Sequence, residues 1–171
     1  MFVNREQELA FLEERYRSGR AELIVLSGRR RTGKTTLLSR FCTGGENGRE
    51  KPHIFFMGDF GSETMLRQRL SSALLAFETG AGDVESFAFQ TWEAAFEHMA
   101  YLARERRVVV VLDEFPYLIR VNAGIPSILQ RVWDQSLRHT QIMLILCGSN
   151  LSIMRQDVLA YRSPLYGRRT G

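Results

Sequence analysis

The chain has 171 residues, of which 44% are hydrophobic and 25% charged, and a formal net charge of +4. This is the composition of a folded domain long enough to bury its own core, and it excludes low-complexity and disordered classes. No apolar run approaches the roughly 20 residues of a membrane helix, and the N-terminus MFVNREQELA lacks the apolar stretch of a secretory signal. Two cysteines, Cys42 and Cys147, build neither a disulfide framework nor a zinc site, so both are expected as buried thiols. The expectation is one cytoplasmic domain without membrane contact.

In chain order, residues 4 to 17 predict a helix, with Leu9, Leu12 and Tyr16 on one face. Ala21 to Leu26 reads as a buried strand. A glycine-rich loop follows, then a helix from Lys34 to Phe41 with Leu37, Leu38 and Phe41 inward. Residues 43 to 50, TGGENGRE, are a loop by composition. Ile54 to Met57 is a second strand. Ser62 is placed to cap a helix bearing Leu66, Leu70, Leu74 and Phe77 at helical spacing, and Thr91 a helix with Trp92, Phe96, Met99 and Leu102 inward. Val108 to Leu112 is β-branched without alternation, which suits a strand covered on both faces. A helix over residues 126 to 137, a strand from Ile142 to Cys147 and a helix over residues 152 to 160 complete the pattern. Alternating strands and helices predict a three-layer α/β/α sandwich around a mostly parallel sheet.

The first glycine segment, GRRRTGKTT at residues 28 to 36, has the full spacing of a phosphate-binding loop. Glycines let the backbone turn tightly and approach an anion. The amides that open the next helix favour negative charge there. The nucleotide-binding set is Gly28, Arg31, Thr32, Gly33, Lys34, Thr35 and Thr36. Lys34 is expected on the β- and γ-phosphates, Thr36 near the α-phosphate, and Thr35 on Mg²⁺ through its hydroxyl. Because backbone lines such a loop, the side chains of Arg29, Arg30 and Arg31 are expected to point outward, with contact to nucleotide or to a partner's acids as the alternative.

The stretch VVVVLDEF supplies the acids that a hydrolase needs. Asp113 stands at the carboxyl end of a buried strand and is expected to hold the metal opposite Thr35. Glu114 follows it and is placed to polarise an attacking water. In LILCGSN, Ser149 and Asn150 emerge beside these acids if that strand lies between the first and third. Either could orient the water, or serve as a helix cap. Near the end of SPLYGRRTG, Arg168 and Arg169 read as an arginine finger or sensor acting in cis or in trans, or as a basic tail. The three histidines share no metal-ligand spacing.

Together FVNREQEL, GRRRTGKTTLL, VVVVLDEFPYL, LILCGSN and SPLYGRRTG resemble the archaeal-type ATPases, which are AAA+-like P-loop proteins often grouped with the STAND NTPases. The resemblance implies strand order 5-1-4-3-2 and ATP and Mg²⁺ as ligands. It also places Phe2 and Val3 near the adenine, with Asn4 and Arg5. Such proteins continue into a fifth strand, a helical lid and a C-terminal domain. The expectation is therefore an ATPase core over residues 1 to 171 that stops before them, with the first strand at an open sheet edge. The implied function is ATP binding with Mg-dependent hydrolysis. A nucleotide-dependent scaffold with little turnover is the alternative. A homo-oligomer or a partner protein is open, and the modest positive charge is weak support for DNA.

Overall fold

A computed structural model describes residues 5–44, 48–80 and 87–171. In order these form α1 (Glu6–Arg17), β1 (Glu22–Ser27), α2 (Lys34–Thr43), β2 (His53–Met57), α3 (Glu63–Thr79), α4 (Trp92–Leu102), β3 (Val108–Asp113), α5 (Pro116–Val121), α6 (Ile125–Gln135), β4 (Ile142–Gly148) and a short α7 (Leu151–Ile153). The four strands are all parallel, in the order β1-β4-β3-β2.

Side-chain alternation along the strands divides the core into two layers. Val108, Val110 and Leu112 of β3, with Ile142, Leu144 and Leu146 of β4, face α3, α4, α5 and α6. Val109 and Val111, with Met143, Ile145 and Cys147, face α1 and α2. Every residue of β3 and β4 is buried, which explains why both lack polar alternation. At about 1.5–3 kcal/mol for each fully buried large side chain, these two strands dominate stabilisation of the sheet. Trp92 and Trp133 are buried in the α4 and α6 layer, and both cysteines are buried and free.

Local chemistry sets the helix ends. The Ser62 hydroxyl accepts from Met65 N at 3.1 Å, and Thr91 from Ala94 N at 3.1 Å, each filling an orphan donor of the first turn. The other face is pinned by a buried ion pair. Lys51 Nζ donates to Glu13 Oε1 of α1 at 2.7 Å and to the Phe41 carbonyl of α2 at 3.0 Å, and lies over the Phe41 ring.

Three segments depart from the sequence reading. Helix α5 was not expected. It fills six residues directly after the acids, with Pro116 in its first turn. The helix expected over residues 126 to 137 is shorter and closes in a 3₁₀ turn at Leu137–His139. The last one is three α-helical residues followed by a π turn, Met154–Leu159. The expected open edge of β1 is partly covered. Thr170 N donates to Leu23 O at 2.8 Å, and Val25 N donates to Gly171 O at 3.1 Å.

Candidate functional site

The carboxyl ends of β1, β3 and β4 converge on one end of the sheet. The loop after β1 is fastened to β4 by Gly28 N, which donates to Gly148 O at 3.4 Å. Gly33 has φ of 76°, a left-handed conformation that glycine adopts freely, and it brings no side chain to cap α2. The first amides of α2 are thus left for an external acceptor, at the end of the helix that favours an anion. Lys34 is only 7% exposed. Its Nζ donates to the Gly28 and Arg29 carbonyls, both at 2.8 Å, which holds the ammonium at the mouth of the loop.

Thr35 and Asp113 meet across this mouth. Thr35 Oγ1 donates to Asp113 Oδ2 at 2.6 Å, and Glu114 N donates to Asp113 Oδ1 at 2.9 Å. Asp113 is fully buried, so its two oxygens are fixed by these partners. Beneath it, burial first and the Asp113 carboxylate second push the Cys147 thiol well above its ordinary value. A hydroxyl and a carboxylate are hard oxygen donors. They fit magnesium, which typically takes one or two protein oxygens and completes its shell with phosphate and water. No cluster of three or more metal-binding side chains occurs among the described residues.

Glu114 has φ of 51°, outside the regions that non-glycine residues prefer. The turn directs its carboxylate to β4, where Ser149 donates to Oε2 from its hydroxyl at 3.0 Å and from its amide at 3.3 Å. Asn150 is occupied differently. Its Oδ1 accepts from Ile153 N at 3.2 Å and caps α7. Gly148, between β4 and this pair, has no room for a side chain. A Cβ there would lie 2.7 Å from both Met154 Sδ and Pro116 Cδ.

A cleft of about 420 Å³ runs between loop residues 30–36 and Gly58, Asp59, Glu114 and Tyr117. A second cleft of about 280 Å³ adjoins it, lined by Phe60, Arg120, Ser149 and Asn150 and again by Arg30, Glu114 and Tyr117. The sequence reading missed Gly58, Asp59 and Tyr117. The first two follow β2, which pairs with β3 and so ends beside Asp113; their place at the carboxyl end of a parallel strand was the available signal. Arg30 does not simply point outward, since its Nη2 donates to Tyr117 Oη at 3.1 Å. Arg31 and Thr32 line the first cleft, and Arg31 has φ of 62°.

Arg168 is not brought to the cleft. Its guanidinium grips Asp134, Nε to Oδ1 at 2.8 Å and Nη2 to Oδ2 at 2.6 Å, at the far end of α6. Thr170, two residues on, pairs with Leu23. At about 3.3 Å per extended residue, Leu23 stands roughly 17 Å before Gly28. Arg169 is exposed on the same segment. Phe2 and Val3 lie outside the described residues, as does Asn4. Arg5 Nη2 donates to the Thr32 carbonyl and ties the start of α1 to the loop.

A parallel sheet of this order, with a glycine loop feeding a helix and an acid pair on the strand two places away, defines the class of P-loop α/β proteins. The chain belongs to the family described as "ATPase domain predominantly from Archaea", whose family model matches residues 2–171. It is 38% identical to the uncharacterized protein MJECL04 of Methanocaldococcus jannaschii over 174 aligned residues, covering all of this chain and 35% of that protein. It is 56% identical over 41 residues to the uncharacterized ATP-binding protein MJ0423 of the same organism, covering 24% of this chain and 70% of MJ0423. The chain thus spans about a third of the length of MJECL04.

Among solved structures, the fold matches the Walker-type ATPase PABY2304 of Pyrococcus abyssi with a TM-score of 0.66 and 24% identity, over 97% of this chain and 51% of that one. It also matches the Aeropyrum pernix ORC1 protein, solved in complex with DNA, with a TM-score of 0.70 and 15% identity, over all of this chain and 44% of that one. At these identities the likeness is one of fold. No helix among the described residues is long and apolar enough to cross a membrane.

Proposed function

We propose that this chain is the nucleotide core of a regulatory ATPase of the AAA+ and STAND kind, binding ATP with Mg²⁺ and hydrolysing it. The observation that carries the reading is the Thr35–Asp113 contact of 2.6 Å at the mouth of the glycine loop, with Glu114 directly beside it. The loop amides of Arg31, Thr32 and Gly33, with Gly28 opening the turn and Thr36 behind them, cradle the phosphates, and the Lys34 ammonium moves from loop carbonyls to phosphate oxygens. Thr35 and Asp113 would hold the metal, whose contribution when bound is to neutralise charge on the phosphate oxygens. Glu114 accepts the proton of the attacking water as its oxygen bonds to the γ-phosphorus and the bond to the bridging oxygen breaks. Ser149 holds the Glu114 carboxylate in position for that proton. Asn150 supports Ser149 by capping α7. Phe2 and Val3 remain proposed for the adenine, and Arg169 for a role in trans in a homo-oligomer.

Titration calorimetry with Mg-ATP, beside steady-state phosphate release, tests this reading. Glu114→Gln is expected to keep Mg-ATP affinity within about threefold and to lower turnover by a factor of 10² or more. Absence of Mg-ATP binding by folded protein refutes the proposal. The second reading, a nucleotide-dependent scaffold with little turnover, is favoured by the two hydrogen bonds that already occupy Glu114 Oε2. It gains if Glu114→Gln changes nothing measurable. DNA association rests on the net charge of +4 alone in this chain.

A further inference from the structure

We infer that Arg30 is an arginine finger carried by the phosphate loop itself, placed to meet the γ-phosphoryl group; this rests on the ATPase reading above. Arg30 projects from the loop between Gly28 and Gly33 and lines both clefts that flank Glu114. Its guanidinium crosses the mouth to α5, where it donates to Tyr117 Oη at 3.1 Å. Tyr117 is itself fixed relative to Glu114. Its amide donates to the Glu114 carbonyl at 3.0 Å, and its ring packs edge-on against Phe60 at 5.1 Å. Arg30 thus shares the first cleft with both Lys34 and Glu114.

Two further arginines line these clefts, Arg31 the first and Arg120 the second. Arg168 is held by Asp134, Arg69 by Asp59, and Arg120 lies over the Phe60 and Tyr117 rings. Of the arginines that line the clefts, Arg30 is the one shared by both, and its hydrogen-bond partner is a neutral phenol. A phosphoryl oxygen offers the guanidinium an anionic acceptor, whereas the Tyr117 phenol offers a neutral one. The planar fork can also span two such oxygens, which an ammonium cannot. The phenol thus keeps the guanidinium at hand without competing for it.

The test compares the affinity of wild-type protein, Arg30→Ala and Arg30→Lys for Mg-ADP with and without aluminium fluoride, and for Mg-ATP, beside turnover. Wild type is expected to bind Mg-ADP about a hundredfold tighter when fluoride completes a transition-state mimic. Arg30→Ala should lose that gain, keep Mg-ATP affinity within about threefold, and slow turnover by about 10³. Arg30→Lys should recover little of the gain, and added guanidinium ion should restore part of the rate to Arg30→Ala. Tyr117→Phe, which frees the guanidinium but leaves it in place, should retain the fluoride gain. No fluoride gain in wild type, or the same gain in Arg30→Ala, overturns the assignment. Loss of Mg-ATP binding by wild type instead overturns the ATPase reading on which it rests.

Discussion

Ser149 and Asn150 are chemically similar neighbours with different work. Ser149 gives both its hydroxyl and its amide to Glu114, whereas Asn150 turns its carbonyl oxygen back to Ile153. A bond to a charged group is worth about 1.5–3 kcal/mol, and tenfold in rate corresponds to about 1.4 kcal/mol. Ser149→Ala is therefore expected to lower turnover by roughly 10- to 100-fold with Mg-ATP affinity unchanged. Asn150→Ala should cost about 1 kcal/mol of stability through the lost cap, with a smaller effect on rate. Phosphate release and urea unfolding on the two variants separate these outcomes, and equal rate losses would reject the division of roles. From sequence the pair could not be split, because both residue types cap helices and both emerge at the same strand end. Arg30 was obscured for a related reason. Loop spacing reports where the backbone goes, and it is silent on a side chain that crosses to Tyr117, 87 positions away.

Among the elements, those with a strong period were legible and the short ones were not. Val108 to Leu112 announced a central strand, and Ser62 and Thr91 marked helix starts that the structure confirms. Helix α5 has six residues, fewer than two turns, so no apolar period could emerge from PYLIRV. Its place is set instead by tertiary contacts around Gly148 and Pro116. The buried Glu13–Lys51 pair, which joins α1, α2 and the chain entering β2, was equally silent. Removing one partner leaves an uncompensated charge in the core, at a cost of about 3–5 kcal/mol. Glu13→Ala is expected to lose about that much in urea unfolding, and the double variant Glu13→Met with Lys51→Met to recover most of it. A double variant no more stable than Glu13→Ala would show that the charges themselves hold these elements.

Across the whole molecule, stability should fall on the alkaline side. Burial pushes the Cys42 thiol from an ordinary 9.0 up to about 12 and raises Cys147 as well, and burial lifts Tyr16 above 10.0. Above a pH of about 9 the unfolded chain releases protons that the folded chain still holds, so unfolding gains as pH rises. The stabilisation is complete below the unfolded values and is lost as pH climbs toward the folded ones. The urea midpoint should be level from about pH 7 to 8.5 and decline beyond about pH 9, with a shallower decline in Cys42→Ala. A midpoint still level at about pH 10.5 would contradict the buried thiols. At this scale the layered architecture was legible, since two-face burial of strands leaves a continuous apolar signature, while the seating of Thr170 and Gly171 against β1 was not.

Among 23 basic side chains only Lys34 and Lys51 carry primary amines, and both are recessed, at 7% and 8% exposure. Acylating reagents would find a surface populated by guanidinium groups that they leave alone. One recessed amine opens onto the phosphate cradle and the other onto nothing but the interior. Modification of the first would report ligand occupancy, and modification of the second would report global opening, so two probes of different events are built into the composition of the chain.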